Sequence, residues 1–147
     1  MRQLAALPPF WVALALIAGW LVGGLWPVPG AGWMHAIGLL IAGVGALLIV
    51  AAALVMIRAR TTVMPGRVPD AIVTDGVFRL SRNPIYLGDL LLAGGLLLLL
   101  GRPLGLIVLP ALAALIQQRF ILAEEAGLRC HFGPAFQAYA SRVRRWI

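Results

Sequence analysis

Four long apolar runs divide the chain. They cover about residues 10–26, 33–57, 85–100 and 104–122. Each run approaches the roughly 17 to 25 residues that an α-helix needs to cross the hydrocarbon core of a bilayer, and the third is the shortest. The pattern therefore predicts an all-α fold, a polytopic membrane helix bundle of about four transmembrane helices. We expect a single membrane domain, 1–147, with a polar loop at 58–84 and a polar tail at 123–147.

The first run has the position of a signal peptide but not its ending. Trp26-Pro27-Val28 offers no small-residue cleavage site, and three further apolar runs follow. We expect this helix to be retained in the mature protein.

The composition leaves too few polar side chains for a water-soluble surface. Hydrophobic residues make up 62% of the 147 residues and charged residues 12%, whereas a soluble domain carries about 25% charged residues. The mean hydropathy is +0.97. Composition and pattern both indicate a membrane protein.

Charge is concentrated at one end of the predicted bundle. The net charge of +7 comes from arginines without any lysine. The loop and the tail hold most of them: Arg58, Arg60, Arg67, Arg79, Arg82, Arg129, Arg142, Arg144 and Arg145. By the positive-inside rule the loop, the tail and both termini are cytosolic, and Arg2 agrees; in a bacterium the membrane would be the inner one. Arginines placed between apolar runs do not form a nucleic-acid-binding face.

Small residues recur at helical spacing within the apolar runs. The first run contains Ala15, Gly19 and Gly23, the second Gly38, Ala42 and Ala46, and the third Gly94 and Gly95. Such stripes favour close packing of helices in lipid. The link 101–103 is so short that the third and fourth helices should form an antiparallel hairpin.

The fourth helix should continue beyond its apolar run. We expect it to pass through Glu124 and Glu125 towards Arg129, and Gly133-Pro134 then predicts a stop followed by a new helix start. The apolar positions of the final segment fall three or four apart and predict a short amphipathic helix, which lies at the headgroups or caps the bundle. They are Phe132, Phe136, Tyr139, Val143 and Trp146.

The segment that leads into the third run has the most informative pattern. Asp75-Gly76 is a turn signal, Pro84 suits the first turn of a helix, and Asn83 then takes the N-cap position. This arrangement places Arg82, Asn83 and Tyr86 together at the N-terminal end of the third helix, which we call its mouth. Gly88 lacks a side chain at a point where a ligand could approach the backbone.

Several of these residues also have simpler interpretations. Glu125 and Arg129 have the i,i+4 spacing of an exposed salt bridge worth about 0.3 kcal/mol. Arg82 could serve only as a headgroup anchor. Asp89, one turn inside the third run, is either functional or a polar contact with a loop arginine.

The lone Cys130 excludes an internal disulfide and a CxxC pair. Neighbouring His131 fits packing or solvent exposure better than catalysis.

Two segments resemble a known family. VTDGVFRLSRNPIYLG at 73–88 and EEAGLRCHFGPAFQAYASRVRRWI at 124–147 are similar to the membrane methyltransferases grouped with isoprenylcysteine carboxyl methyltransferases and phospholipid N-methyltransferases. The likeness extends from Thr61 to Ile147 and includes the stretch from Thr61 to Pro65. Asn83 stands where the carboxyl methyltransferases usually have His, and Phe136 stands where the tail often has Tyr.

The resemblance implies transfer of a methyl group from S-adenosylmethionine to a hydrophobic or lipid-borne amine, carboxylate or thiol that arrives from the membrane. No metal is required. Residues with a catalytic role would be Arg82, Asn83 and Tyr86. Cofactor-binding residues would be Arg82, Asn83, Pro84, Tyr86, Gly88, Glu124 and Glu125, and more loosely Tyr139 and Arg145.

Two other functions compete with this one. A small four-span transporter working as a dimer would need an acid near the middle of a span, and only Asp89, near a span end, approaches that. A non-catalytic membrane scaffold with the same fold is the other. The acceptor and the oligomeric state stay open at this point.

Overall fold

The protein is all-α, as predicted. A computed structural model describes residues 7–28, 32–61 and 71–147, and these residues contain helices and no strand. The elements are α1 (Pro8–Gly23), α2 (Gly32–Arg58), a 3₁₀ turn (Gly76–Arg79), α3 (Pro84–Leu99) and a long helix (Pro103–Ala140). Arg2, Arg67 and the stretch Thr62–Pro65 lie outside the described residues.

The long helix changes its winding along its length. A 3₁₀ turn (Pro103–Val108) leads into α4 (Leu109–Ile116), a π turn (Gln117–Ile121) follows, and α5 (Leu122–Ala140) completes it. Gly133 has non-helical angles, φ 47° and ψ −118°, and Pro134 follows it. The predicted interruption at this point is confirmed, because a positive φ suits glycine and proline restarts a helix.

The outer faces of the helices are strongly apolar. On α2, for example, Leu39, Leu40 and Leu47 are 65%, 67% and 70% exposed. A water-soluble monomer rarely exposes so much contiguous apolar surface, whereas lipid covers it without cost. Of the helices described, α2 and the long helix are long and apolar enough to cross a membrane. α1 and α3 have 16 residues each, or about 24 Å, so four crossings stay a prediction.

α2 and α3 pack backbone against backbone. A Cβ added at Gly45 would lie 2.6 Å from Leu92 N and 2.7 Å from Gly88 O. One at Gly38 would lie 2.8 Å from Gly95 O. The predicted stripe of α2 is therefore correct at Gly38 and Ala42, which are buried, but Gly45 replaces Ala46, which is exposed.

α1 and the start of the long helix also approach closely. A Cβ at Gly19 would lie 3.2 Å from Gly105 O, and one at Gly94 of α3 would lie 3.0 Å from Leu109. The predicted hairpin of α3 and the long helix is therefore present. Together these helices enclose a core: Val12, Tyr86, Ala93, Leu112, Ile116, Phe120 and Ile121.

The chain ends by folding back on the bundle. α5 stops at Ala140, so the terminal helix is shorter than the apolar pattern predicts, and residues 141–147 are not helical. Phe136 is 1% and Tyr139 5% exposed, while Val143 and Trp146 are half-buried. Of the two predicted placements, the terminal segment caps the bundle.

Candidate active site

The start of α3 is held by the terminal segment. Asn83 occupies the N-cap position and Pro84 the first turn, as predicted, but the Asn83 side chain makes no capping hydrogen bond. Its Nδ2 instead donates to the Arg145 carbonyl at 3.0 Å. Ser81 Oγ donates to the same carbonyl at 3.2 Å, and Arg82 N donates to Arg144 O at 3.0 Å. Backbone of the tail thus lines the mouth of α3.

Glu125 joins three segments of the chain. Its carboxylate accepts two hydrogen bonds from Arg145, Nε to Oε1 at 3.0 Å and Nη2 to Oε2 at 2.7 Å. Arg82 Nη2 lies 3.2 Å from Oε1. The Glu125 side chain is only 6% exposed, and its hydrogen bonds raise the pKa of Arg145. The predicted pair with Arg129 is not formed, because Glu125 faces the bundle and Arg129 is exposed.

Glu124 points to a different partner. The hydroxyl of Tyr86 donates to Glu124 Oε1 at 2.7 Å, which links α3 to α5 across 38 positions of sequence. Tyr86 is 7% exposed, and its ring lies 6.4 Å from the ring of Phe120. Among the described residues, no group is bonded to Glu124 Oε2. This oxygen keeps its hydrogen-bonding capacity for a ligand.

Arg82 also keeps an unused group. Its Nε is one of two buried side-chain polar atoms without a hydrogen-bond partner in the described part of the chain. Burial of an unpaired donor is costly, and the Arg82 side chain is 13% exposed. The mouth of α3 therefore presents an unused cationic donor close to the Glu125 carboxylate.

Two of the predicted site residues already have structural partners. A Cβ at Gly88 would lie 2.6 Å from Ile49 Cγ1, so close packing on α2 is sufficient to explain this glycine. The hydroxyl of Tyr139 donates to Phe78 O at 2.7 Å and so holds the 3₁₀ turn Gly76–Arg79 in place. Burial raises the pKa of Tyr139 to about 12. Their roles towards a cofactor stay predictions.

Sequence reasoning missed three contributors to this end of the bundle. Ser81 is fully buried, and its hydroxyl accepts a hydrogen bond from Asn83 N at 3.1 Å. Trp146 Nε1 donates to Gln117 Oε1 at 2.9 Å, which seats the tail on the π turn. The polar pair Gln117-Gln118 within an apolar run was the one available signal for this contact.

The arrangement offers separate sites for opposite charges. Arg82 can bind a carboxylate, and Glu124 can bind an ammonium or hydroxyl group, while Glu125 neutralises the surrounding arginines. Tyr86 orients Glu124 by its hydrogen bond. Such a site suits a small zwitterionic ligand at the end of a membrane bundle.

Comparison with known proteins identifies the family. The family model described as phospholipid methyltransferase matches residues 33–135, which is more than half of the chain. The match includes Arg82, Tyr86, Glu124 and Glu125. No curated protein and no solved structure matches the chain at a significant level. The resemblance seen in the sequence is confirmed, and the chain belongs to the phospholipid methyltransferase family of membrane methyltransferases.

Proposed function

We propose that the protein transfers a methyl group from S-adenosylmethionine to a lipid-borne or hydrophobic acceptor. The observation that carries this proposal is the hydrogen bond from Tyr86 to Glu124. It brings together the two segments that resemble the family, and it leaves a carboxylate oxygen available between them. The family description favours a phospholipid acceptor.

The residues at the mouth of α3 fit the charges of the cofactor. S-adenosylmethionine, when bound, supplies an electrophilic methyl group on a sulfonium. Its amino-acid part carries a carboxylate, for which the buried and unpaired Arg82 Nε is a suitable donor. Glu124 Oε2 can accept a hydrogen bond from an ammonium or ribose hydroxyl. Arg82 Nε and Glu124 Oε2 both lack a hydrogen-bond partner among the described residues, so a bound cofactor would supply the missing hydrogen bonds.

Glu125 has a supporting role in this proposal. Its two hydrogen bonds to Arg145 and its contact with Arg82 hold both guanidinium groups in fixed orientations. A planar guanidinium held by a carboxylate loses little further freedom when it binds a second anion. Glu124 then contacts the cofactor, and Glu125 positions Arg82.

The proposed orientation places this site at the cytosolic face. Arg58, Arg79, Arg82 and the arginines of the tail all lie at the same end of the bundle as the mouth of α3, which agrees with the positive-inside rule. The cofactor would enter from water, and an acceptor carried by lipid would enter sideways between helices. If water is excluded from the site, the acceptor that is held next to the methyl group is the group that reacts with it.

A binding titration tests the proposal. Calorimetric titration of the detergent-purified protein with S-adenosylmethionine or its demethylated product should show saturable binding. Glu124→Gln can keep the hydrogen bond from Tyr86 but loses the charge, and we expect binding about tenfold weaker, as for a lost charge-assisted hydrogen bond. The matched control is Asp75→Asn, which removes an exposed acid and should bind as the wild type does.

The opposite results have clear meanings. If folded wild-type protein binds neither compound at millimolar concentration, the enzyme proposal is wrong and a non-catalytic membrane scaffold becomes the better explanation. Equal affinity of Glu124→Gln and the wild type would remove Glu124 from the cofactor site.

A further inference from the structure

The π turn Gln117–Ile121 lies just before the two glutamates of the proposed site. Leu122 N donates to Gln117 O, five residues back, whereas an α-helix bonds residues that are four apart. The π turn therefore contains one residue more than an α-helix needs. Such insertions are rare in helices and are frequently found at functional sites.

The extra residue decides which side chains of α5 face α3. One residue corresponds to a rotation of about 100° around a helix, so each residue after the π turn takes the place that its predecessor would have in an uninterrupted α-helix. Without the π turn, Ala123 would face Tyr86 in place of Glu124. Glu124 would take the place of Glu125, and Glu125 would turn to the exposed position of Ala126. The carboxylate that accepts from the Tyr86 hydroxyl therefore depends on the π turn.

The tail contacts the long helix on both sides of the π turn. Trp146 Nε1 donates to Gln117 Oε1 at 2.9 Å, and the Trp146 side chain packs against the core that includes Ile121. The preceding tail residue, Arg145, forms two hydrogen bonds with Glu125. Two adjacent residues of the tail thus hold the helix at the start of the π turn and again beyond its end.

Gln117 and its neighbour Gln118 differ in this respect. Gln117 is half-buried and accepts the hydrogen bond from Trp146. Gln118 is exposed, and its side chain forms no hydrogen bond within the described part of the chain. The two glutamines therefore offer a matched pair for substitution, because only one of them contacts the tail.

We propose that Gln117 and Trp146 are positioning residues, which hold the π turn and so keep Glu124 facing Tyr86. This inference rests on the proposed function and adds to it two residues to which the family resemblance gives no role. Neither side chain needs to touch the cofactor, because both act through the winding of the helix. Without their hydrogen bond the common α-helical winding is favoured, and the available oxygen of Glu124 then leaves the site.

Cofactor titration tests the positioning role. Calorimetric titration of detergent-purified Gln117→Leu with the demethylated product of S-adenosylmethionine should show binding about tenfold weaker than that of the wild type, the same loss as expected for Glu124→Gln. Trp146→Phe removes the same hydrogen bond from the tail and should have the same effect, so it replaces Gln117→Leu if that variant does not fold. Gln118→Leu is the matched control and should bind as the wild type does.

A compensating substitution distinguishes a change of winding from general damage. In the α-helical winding residue 123 faces Tyr86, so Ala123→Glu should restore the cofactor affinity of Gln117→Leu to within about twofold of the wild type. Ala123 is exposed in the native winding, and Ala123→Glu alone should leave the affinity unchanged. If Gln117 had a merely structural role, a carboxylate at position 123 would not correct its loss.

Unfolding in denaturant tests the winding without the cofactor. Tyr86→Phe removes the hydrogen bond to Glu124 and should lower the denaturant midpoint of the wild type. The same substitution should leave the midpoint of Gln117→Leu unchanged, because no carboxylate then faces residue 86. This comparison needs no bound ligand and no activity.

The opposite results each contradict a different step. Wild-type affinity in both Gln117→Leu and Trp146→Phe would show that the tail contact does not position Glu124. If Ala123→Glu restores nothing, or if Tyr86→Phe shifts the midpoint equally in both backgrounds, the helix keeps its π turn without Gln117 and the proposal is wrong. Lack of cofactor binding by the wild type would instead overturn the proposed function, and the denaturant midpoints would still decide whether Gln117 holds the π turn.

Discussion

α3 presents two very different sides to its neighbours. Towards α2 it packs through glycines, and at Gly45 and Gly88 an added Cβ would lie within 3 Å of the opposite helix. Towards the long helix it reaches with long polar side chains, as in the hydrogen bond between Tyr86 and Glu124. The first side leaves no space, and on the second side Glu124 Oε2 has no hydrogen-bond partner among the described residues.

The two sides of α3 therefore have different tasks. The side that faces α2 holds the helix rigidly in place, and the side that faces the long helix carries the groups available for binding. Packing of backbones in lipid fixes α3 on α2, because small residues maximise the contact between helices. With α3 fixed, the hydroxyl of Tyr86 has a defined position opposite Glu124.

The largest expected effect concerns the glycine side. In Gly45→Ala the new Cβ would lie 2.6 Å from Leu92 N, so the two backbones must separate, and we expect a loss of about 3 kcal/mol or more in the free energy of unfolding. Gly43→Ala on the same helix is the control, because a Cβ there meets no atom within 4 Å. Denaturant unfolding in detergent, followed by circular dichroism, measures both. Equal stability of the two variants would contradict the packing described here.

The second prediction concerns the polar side. Glu125→Gln removes the charge that pairs with Arg82 and Arg145. Because Arg145 is 30% exposed, water compensates for part of this loss, and we expect a cost of about 2–3 kcal/mol. Glu124→Gln should cost less than about 1 kcal/mol, since an amide oxygen still accepts from Tyr86. The same unfolding measurement decides, and the reverse order would exchange the roles assigned to the two glutamates.

The helix positions were largely predictable from the sequence. Apolar runs of spanning length and a proline at the first turn define helix starts, so α2 and α3 begin and end within one residue of the predicted runs 33–57 and 85–100. The π turn at Gln117–Ile121 was not predictable, because no residue type marks it. The return of the tail depends on tertiary contacts such as that of Trp146 with Gln117.

The candidate site was predicted as a set of residues but not as a set of contacts. The resemblance to the family indicated Glu124 and Glu125 together, yet adjacent residues on a helix point about 100° apart. Which of them faces Tyr86 depends on the π turn just before them. Local spacing instead suggested an i,i+4 pair with Arg129, and the more distant partners Arg82 and Arg145 replace it.

The smallest expected effect concerns Tyr139, which holds the 3₁₀ turn before α3. Tyr139→Phe removes the hydrogen bond to Phe78 O and should cost about 1 kcal/mol at pH 8. Burial raises the pKa of Tyr139 to about 12, whereas in the unfolded chain the pKa is about 10. Above pH 10 the unfolded chain binds fewer protons than the folded one, so the stability contributed by neutral Tyr139 is present below pH 10 and is lost as the pH rises towards 12. Unfolding of both proteins between pH 8 and 12 should therefore show the advantage of the wild type shrinking over this range, and a constant difference would mean that Tyr139 is not buried as a neutral phenol.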